Sequence, residues 1–266
     1  PLIARKILDY IKARRVYKGW EKPKSFDRNL VVIGAGSGGL VSAYIAAAVK
    51  AEVSLIEKHA MGGDCLNTGC VPSKALIRSA RLAAEIKRAA ALGFTNASAT
   101  VDFARVMDRV QRVIKDIEPH DSVDRYSELG VDVIQGAARI SSPWSVEVEG
   151  RTLTTRNIII AAGGSPIMPP IPGLDAAPAY TSETLWGLRE QPRRLLVLGG
   201  GPIGCELAQA FQRLGSQVIQ MERGERLLPR EDSDASELVS LAMRSEGVDL
   251  RLSHQAERFE QNAEGH

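Results

Sequence analysis

The chain has 266 residues, a formal net charge of +2, 44% hydrophobic and 25% charged residues. This is the composition of an ordinary globular protein of about two domains. No run approaches the ~20 consecutive apolar residues that span a bilayer, no secretory signal is visible, and no nucleic-acid partner is expected, although the net charge by itself argues neither for nor against one. The chain begins at Pro1 and is therefore read as a piece of a longer or processed product.

Residues 1–28 hold nine Lys/Arg against three acids, so that this leader carries +6 and the remainder −4. Residues 3–16 read as a short basic helix with Ile3, Ile7, Leu8 and Ile11 on one side, and 17–28 as a linker. Such a leader is a candidate for an anionic lipid surface, competing with a plain solvated linker, and leaves room for an upstream membrane domain. Leu30–Ile33 is then a buried strand, 34–39 a turn, Leu40–Val49 an alanine-rich helix and Val53–Ile56 a second strand, together a βαβ unit. Residues 62–69 read as a loop, and a helix opens at Cys70 with Pro72 tolerated in its first turn. A second helix is expected over 101–118, where Phe103, Val106, Val110, Val113 and Ile117 step by three and four. Val131–Ile134 is a strand, Trp144–Thr155 a hairpin around Glu149-Gly150, Asn157–Ile160 a buried strand, and 166–172 a proline-rich connector. The opening pattern then recurs: a strand over 195–198, a turn over 199–204, a helix to Leu214, a strand over 218–221, a helix near 232–246 and a strand at 248–252. The chain ends at Gly265-His266, inside what is expected to be another hairpin.

Two loops carry G-x-G-x-x-G. The first has Gly34, Gly36 and Gly39; the second, 165 residues on, has Gly199, Gly201 and Gly204. The first glycine permits a tight strand-to-helix turn, the second lets backbone approach a pyrophosphate, and the third lets helix pack closely on strand. The helix N-terminus that follows offers free N–H groups to phosphate. Glu57 and Glu222 each close the next strand 23 residues after the first glycine, where a carboxylate can accept ribose hydroxyls. A single such loop is a weak signal; two in the same strand–turn–helix–strand–acid context point to two dinucleotide sites exchanging electrons.

Three cysteines do not make a disulfide scaffold. Cys205 sits in an apolar helical pattern and reads as a buried small hydrophobe. Cys65 and Cys70 lie five apart among glycines, which points to redox or metal chemistry in a reducing compartment. Five residues of regular helix rise roughly 7.5 Å, whereas a disulfide wants Cα atoms about 4.4–6.8 Å apart. The turn must be distorted, and Asn67 and Gly69 suit that. Cys70 opens a helix, which favours thiolate, and Lys74 adds positive charge one turn on. A zinc site would want a second Cys/His cluster, and no metal site is expected; a structural disulfide and two inert thiols are the remaining alternatives.

The run Gly62-Gly63-Asp64-Cys65-Leu66-Asn67-Thr68-Gly69-Cys70-Val71-Pro72-Ser73-Lys74 resembles the G-G-T-C-L-N-V-G-C-I-P-S-K signature of the class I pyridine nucleotide–disulfide oxidoreductases. That family includes dihydrolipoamide dehydrogenase, glutathione reductase and mercuric reductase, and the chain is most similar to its mercuric-reductase-like branch, some members of which are fused behind a membrane domain. The resemblance implies an α/β fold with two Rossmann-like domains, the second incomplete, divided into a leader 1–26, a FAD half 27–190 and an NAD(P) half 191–266. It implies FAD on the first loop, Glu57, Gly63 and the Gly163 connector. It implies NAD(P)H on the second loop and Glu222, and the carboxylate favours NADH. Cys70 is then the thiol facing the flavin, Cys65 the thiol meeting substrate, and Lys74 with Glu206 an ion pair beside the flavin's reactive nitrogen. Electrons would pass from NAD(P)H through flavin to the Cys65–Cys70 disulfide, and on to a disulfide or metal-ion substrate.

This sequence departs from the pattern at Asp64, usually threonine, at Thr68, usually valine, and in Ala161-Ala162-Gly163, where an alanine replaces a threonine. Asp64 sets a negative charge beside Cys65. The family's second FAD segment and dimerisation domain, with the His–Glu pair lent to the partner of a homodimer, are not found in these residues. His254 and His266 lie in the wrong place for that pair, and His59 and His120 read as surface histidines. The chain alone is therefore expected to be inactive. Its expected location is the cytoplasm, at the inner face of the membrane if the leader binds lipid. Two rival readings are a flavoprotein passing electrons to a membrane quinone or partner protein, and a non-catalytic redox sensor.

Overall fold

Runs of Val, Ile and Leu alternate with alanine-rich or amphipathic helices along most of the chain, and each run becomes a strand. The computed structural model describes residues 2–260; the expected C-terminal hairpin and His266 lie outside them. In chain order the elements are α1 (Leu2–Val16), β1 (Arg28–Ile33), α2 (Ser37–Ala48), β2 (Val53–Glu57), α3 (Gly63–Asn67), α4 (Cys70–Arg88), α5 (Phe103–Ile117), α6 (Val123–Glu128), β3 (Val131–Gln135), β4 (Arg139–Ser142), β5 (Ser145–Val148), β6 (Arg151–Ile160), β7 (Arg194–Leu198), α7 (Pro202–Leu214), β8 (Gln217–Glu222), α8 (Ser233–Ser245) and β9 (Asp249–Leu252). The fold is α/β, and the chain divides into two compact units, Pro1–Cys65 with Ile117–Gly164 and Leu66–Asp116 with Ser165–His266. Among the described residues no helix is long and apolar enough to cross a membrane.

The first unit holds a six-stranded sheet in the order β3-β2-β1-β6-β5-β4, parallel from β3 to β6 and antiparallel beyond. Successive residues of β1 face opposite ways, so Val31 and Val32 serve two cores. Val32 packs with Leu55, with Leu40 and Ala43 of α2 and with Tyr126 of α6, whereas Val31 packs with Ile56, Ile134, Val146 and Leu153. β6 differs from the sequence reading, which separates a hairpin strand from a buried one. It is continuous, pairing antiparallel with β5 through Arg151–Thr154 and parallel with β1 through Thr155–Ile160. Glu149 and Gly150, at φ 46° and 71°, supply the two left-handed residues of a tight hairpin turn.

The stretch read as a linker is held against this hairpin. Tyr17 and Trp144 rings lie 4.8 Å apart, the Lys22 ammonium sits over the rings of Phe26 and Trp144, and Asp27 takes hydrogen bonds from the Thr154 N–H and hydroxyl. In α1 the side chains of Ile7, Leu8 and Ile11 are exposed, and that of Ile3 lies outside the described residues. Across β1, β2 and β3, Arg28 donates to Ser54 Oγ and Asp132 Oδ2, each at 2.7 Å, and Ser54 donates to the same oxygen at 2.9 Å. Burial alone would raise the Asp132 carboxyl, but the Arg28 and Ser54 donors outweigh it and hold it below the ordinary range.

The second unit has a three-stranded parallel sheet, β7-β8-β9. Its core joins Leu76 and Ala80 of α4 and Phe103, Met107 and Val110 of α5 to Ala208, Phe211 and Leu214 of α7 and to Met243 of α8. Arg213 and Glu246 form a two-pronged ion pair, both bonds 2.6 Å.

Candidate functional site

At the first loop, Gly34 has φ +100° and donates to Ile56 O at 2.8 Å, turning the chain sharply out of β1. A Cβ on Gly34 would collide with the Ala161 carbonyl, and a Cβ on Gly39 with the carbonyl of Gly34. Gly36 caps α2 in extended conformation. Glu57 accepts from Ala35 N through Oε2 at 2.6 Å and from His59 N through Oε1 at 2.8 Å. The carboxylate thus clamps the loop and keeps a lone pair on each oxygen for a further donor. Gly62, which opens the cysteine motif, donates to Ala35 O at 2.9 Å. Gly63 comes so close that a Cβ on it would stand 2.6 Å from Gly36 Cα.

The second loop repeats the first atom for atom in its main features. Gly199 has φ +113°, Gly201 caps α7 at φ −75° where Gly36 has −78°, and a Cβ on Gly204 would collide with Gly199 O. Glu222 accepts from Gly200 N at 2.6 Å and from Gly224 N at 2.7 Å. Beneath this loop Gln220, fully buried, donates through Nε2 to Gly199 O at 3.0 Å, and Cys205 donates through Sγ to Gly200 O at 3.5 Å. Burial pushes the Cys205 thiol up, which keeps its proton for that bond.

Where the sequence reading has a loop over 62–69, the structure has the five-residue helix α3, which carries Cys65, half-buried, and stops at Asn67. The chain breaks at Thr68-Gly69 and resumes helix at Cys70, which is exposed, with Gly69 as N-cap at φ −119° and ψ −107°. The break falls beside Asn67 and Gly69, where a Cys65–Cys70 disulfide would need one. Lys74 Nζ donates to Glu206 Oε2 at 2.7 Å, so these two site candidates do meet, through side chains 60% and 40% exposed; such an open pair orients more than it stabilises. Gly163 has φ +68° and faces Asp64.

The sequence reading missed Trp186. Its buried indole N–H is shared between Thr68 O at 2.8 Å and Ser182 O at 2.7 Å, tying the link between the two cysteine helices to the second unit's core. A lone tryptophan far along the chain gives no local sign of this role, and neither does Gln220 inside an apolar strand.

Two strand–glycine-loop–helix–strand–carboxylate units and a cysteine-bearing helix pair define the dinucleotide-binding class of redox proteins. Residues 28–266 match the family model described as pyridine nucleotide-disulphide oxidoreductase, and the chain belongs to that family, whose members use FAD and a nicotinamide nucleotide. It is 35% identical over 240 residues to a mercuric reductase of Bacillus cereus, covering 90% of this chain and 38% of that protein. It is 33% identical to a dihydrolipoyl dehydrogenase of Acholeplasma laidlawii, covering 85% and 68%. The solved HOCl-induced flavoprotein disulfide reductase RclA of Escherichia coli superposes with a TM-score of 0.74 at 32% identity, over 88% of this chain and 51% of that one. The chain thus spans about two fifths to two thirds of the length of these relatives.

The residues present fit FAD. Gly36 and Gly63 meet backbone to backbone, α2 opens at that turn, and Glu57 retains acceptor capacity for a ribose.

Proposed function

We propose that this chain supplies the nucleotide-binding and dithiol part of a flavin disulfide oxidoreductase, in which reducing equivalents from NAD(P)H reach the Cys65–Cys70 pair and pass to a disulfide or thiophilic metal ion. The observation that carries the reading is the paired geometry of the loops, with the cysteine motif docked on the first through Gly62 and Gly63. Residues 27–190 are assigned to the FAD half, 191–266 to the NAD(P) half, and 1–26 to a leader. FAD, when bound, supplies a carrier that accepts a hydride and delivers an electron pair.

Reduction of the Cys65–Cys70 disulfide takes two electrons and two protons and yields two thiols. Cys65, as thiolate, attacks one sulfur of a disulfide substrate and expels the other as thiolate, leaving a mixed disulfide. Cys70 attacks Cys65 Sγ, releases the second substrate thiol and restores the intramolecular disulfide. With a divalent metal ion, both thiolates would act as ligands and give up one electron each, so that the metal gains two electrons and the Cys65–Cys70 disulfide re-forms. Lys74, fixed by Glu206, is assigned a positioning role at the flavin. A homodimer supplying the acid–base residue from its partner is part of the proposal.

The nicotinamide is proposed to be NADH. Glu222 repels a 2′-phosphate and bonds a free ribose hydroxyl; Arg223 and Arg226, its near neighbours in sequence, weaken that preference, and Arg226 donates to Pro229 O at 3.0 Å. The test is a substrate screen with the full-length protein, following NADH oxidation with lipoamide, glutathione disulfide and Hg²⁺. Turnover with one of them, lost in Cys65→Ser and Cys70→Ser, is expected. Turnover unchanged in both variants rejects the dithiol mechanism, and a tenfold preference for NADPH, about 1.4 kcal/mol, rejects the nicotinamide assignment.

A further inference from the structure

Asp64 lies in the first turn of α3, directly after Gly63. Gly63 is where the cysteine motif touches the first loop, its would-be Cβ 2.6 Å from Gly36 Cα. On its other side Asp64 faces the connector after β6, its Oδ2 3.9 Å from where a Cβ on Gly163 would stand. Gly36 and Gly63 therefore pack backbone against backbone, and Asp64 stands between that contact and Gly163. The G-x-G-x-x-G turn on which Asp64 borders is where a pyrophosphate comes against the main chain in such a unit.

Into this region Asp64 brings an exposed carboxylate, and none of the ion pairs among the described residues involves it. The other carboxylate of the loop, Glu57, is held by two backbone N–H groups. A free carboxylate next to a phosphate path works against the attraction that the helix N-terminus creates.

We propose that Asp64 sets the affinity of the flavin site: its charge opposes the FAD pyrophosphate, so that this protein holds FAD as a readily exchanged cofactor. The inference rests on the reading of the first unit as the FAD site. At the second loop a Cβ on Gly201 would find no atom of the described residues within 4 Å, and Asp64 belongs to the first unit; the effect is therefore confined to FAD and leaves NADH binding alone.

The experiment is a fluorescence-quenching titration of full-length apoprotein with FAD, in wild type, Asp64→Asn and Asp64→Thr, at low and high salt, with NADH affinity measured on each sample. Both variants are expected to bind FAD about tenfold tighter at low salt, with the gap narrowing at high salt as screening takes effect, and with NADH affinity unchanged. FAD binding by the variants that equals or falls below wild type, with NADH binding intact, overturns the proposal. Failure of wild type and variants alike to bind FAD, with NADH still bound, overturns instead the reading of the first unit as a flavin site.

Discussion

The two glycine loops share a backbone and differ in what presses on it. Gly34 and Gly199, Gly36 and Gly201, Glu57 and Glu222 have matching conformations and hydrogen bonds. Yet a Cβ on Gly34 would strike the Ala161 carbonyl, while one on Gly199 would meet no atom of the described residues within 4 Å. The reason lies in the sheets. β1 has β2 on one side and β6 on the other, whereas β7 pairs only with β8 among the described residues, leaving Leu196 and Leu198 partly exposed. The turn and its carboxylate clamp therefore form from one βαβ segment alone, and the enclosure around them comes from distant parts of the chain.

Substituting the paired glycines tests that contrast. Gly34→Ala combines left-handed strain with a backbone collision and is expected to cost about 3–5 kcal/mol. Gly199→Ala carries the strain alone, about 1–2 kcal/mol. At about 2–4 °C per kcal/mol, thermal melts should separate the two variants clearly; equal losses would show that enclosure by β6 contributes nothing. A smaller effect on folding is expected from Gly36→Ala and Gly201→Ala, both at negative φ with room for a methyl group. Melting should hardly move. Binding should fall about a hundredfold, about 2.7 kcal/mol, for FAD in the first variant and NADH in the second. Crossed or absent effects would separate the loops from the cofactors assigned to them.

The smallest effect expected is on acid stability, and it belongs to the first unit. Because Asp132 is held low by Arg28 and Ser54, its contribution is present above the ordinary carboxylate range near pH ~4 and is lost as pH falls through its lowered value. The Asp132 side chain is 42% exposed, so screening limits the gain to about 0.5 kcal/mol. Asp132→Asn should flatten that part of the pH–stability curve by this amount; an unchanged curve would remove the network from the account.

The loops were readable in the sequence because every residue of the motif lies within one strand, one turn and one helix, and Glu57 and Glu222 recur at equal spacing. The same locality made α4, α5, α7 and α8 visible through their apolar spacing. Helix α3 was hidden, because Gly62, Gly63 and Gly69 are turn signals, and only docking on Ala35 and Gly36 gives the segment its shape. The single strand β6 was split, because alternation shows which face a residue uses and not which neighbour it pairs with. Trp186, Gln220 and the Arg28–Ser54–Asp132 network act over long sequence separations through hydrogen bonds, which leave no periodic trace.

The redox assignment of Cys65 and Cys70 is tested most directly by differential alkylation of the FAD-loaded full-length protein, read by mass spectrometry before and after one equivalent of NADH. Cys65 and Cys70 should be protected in the oxidised protein and labelled together after NADH. Cys205, 7% exposed and held protonated by burial, should stay unlabelled in both samples. Equal labelling of Cys65 and Cys70 before and after NADH would contradict the account.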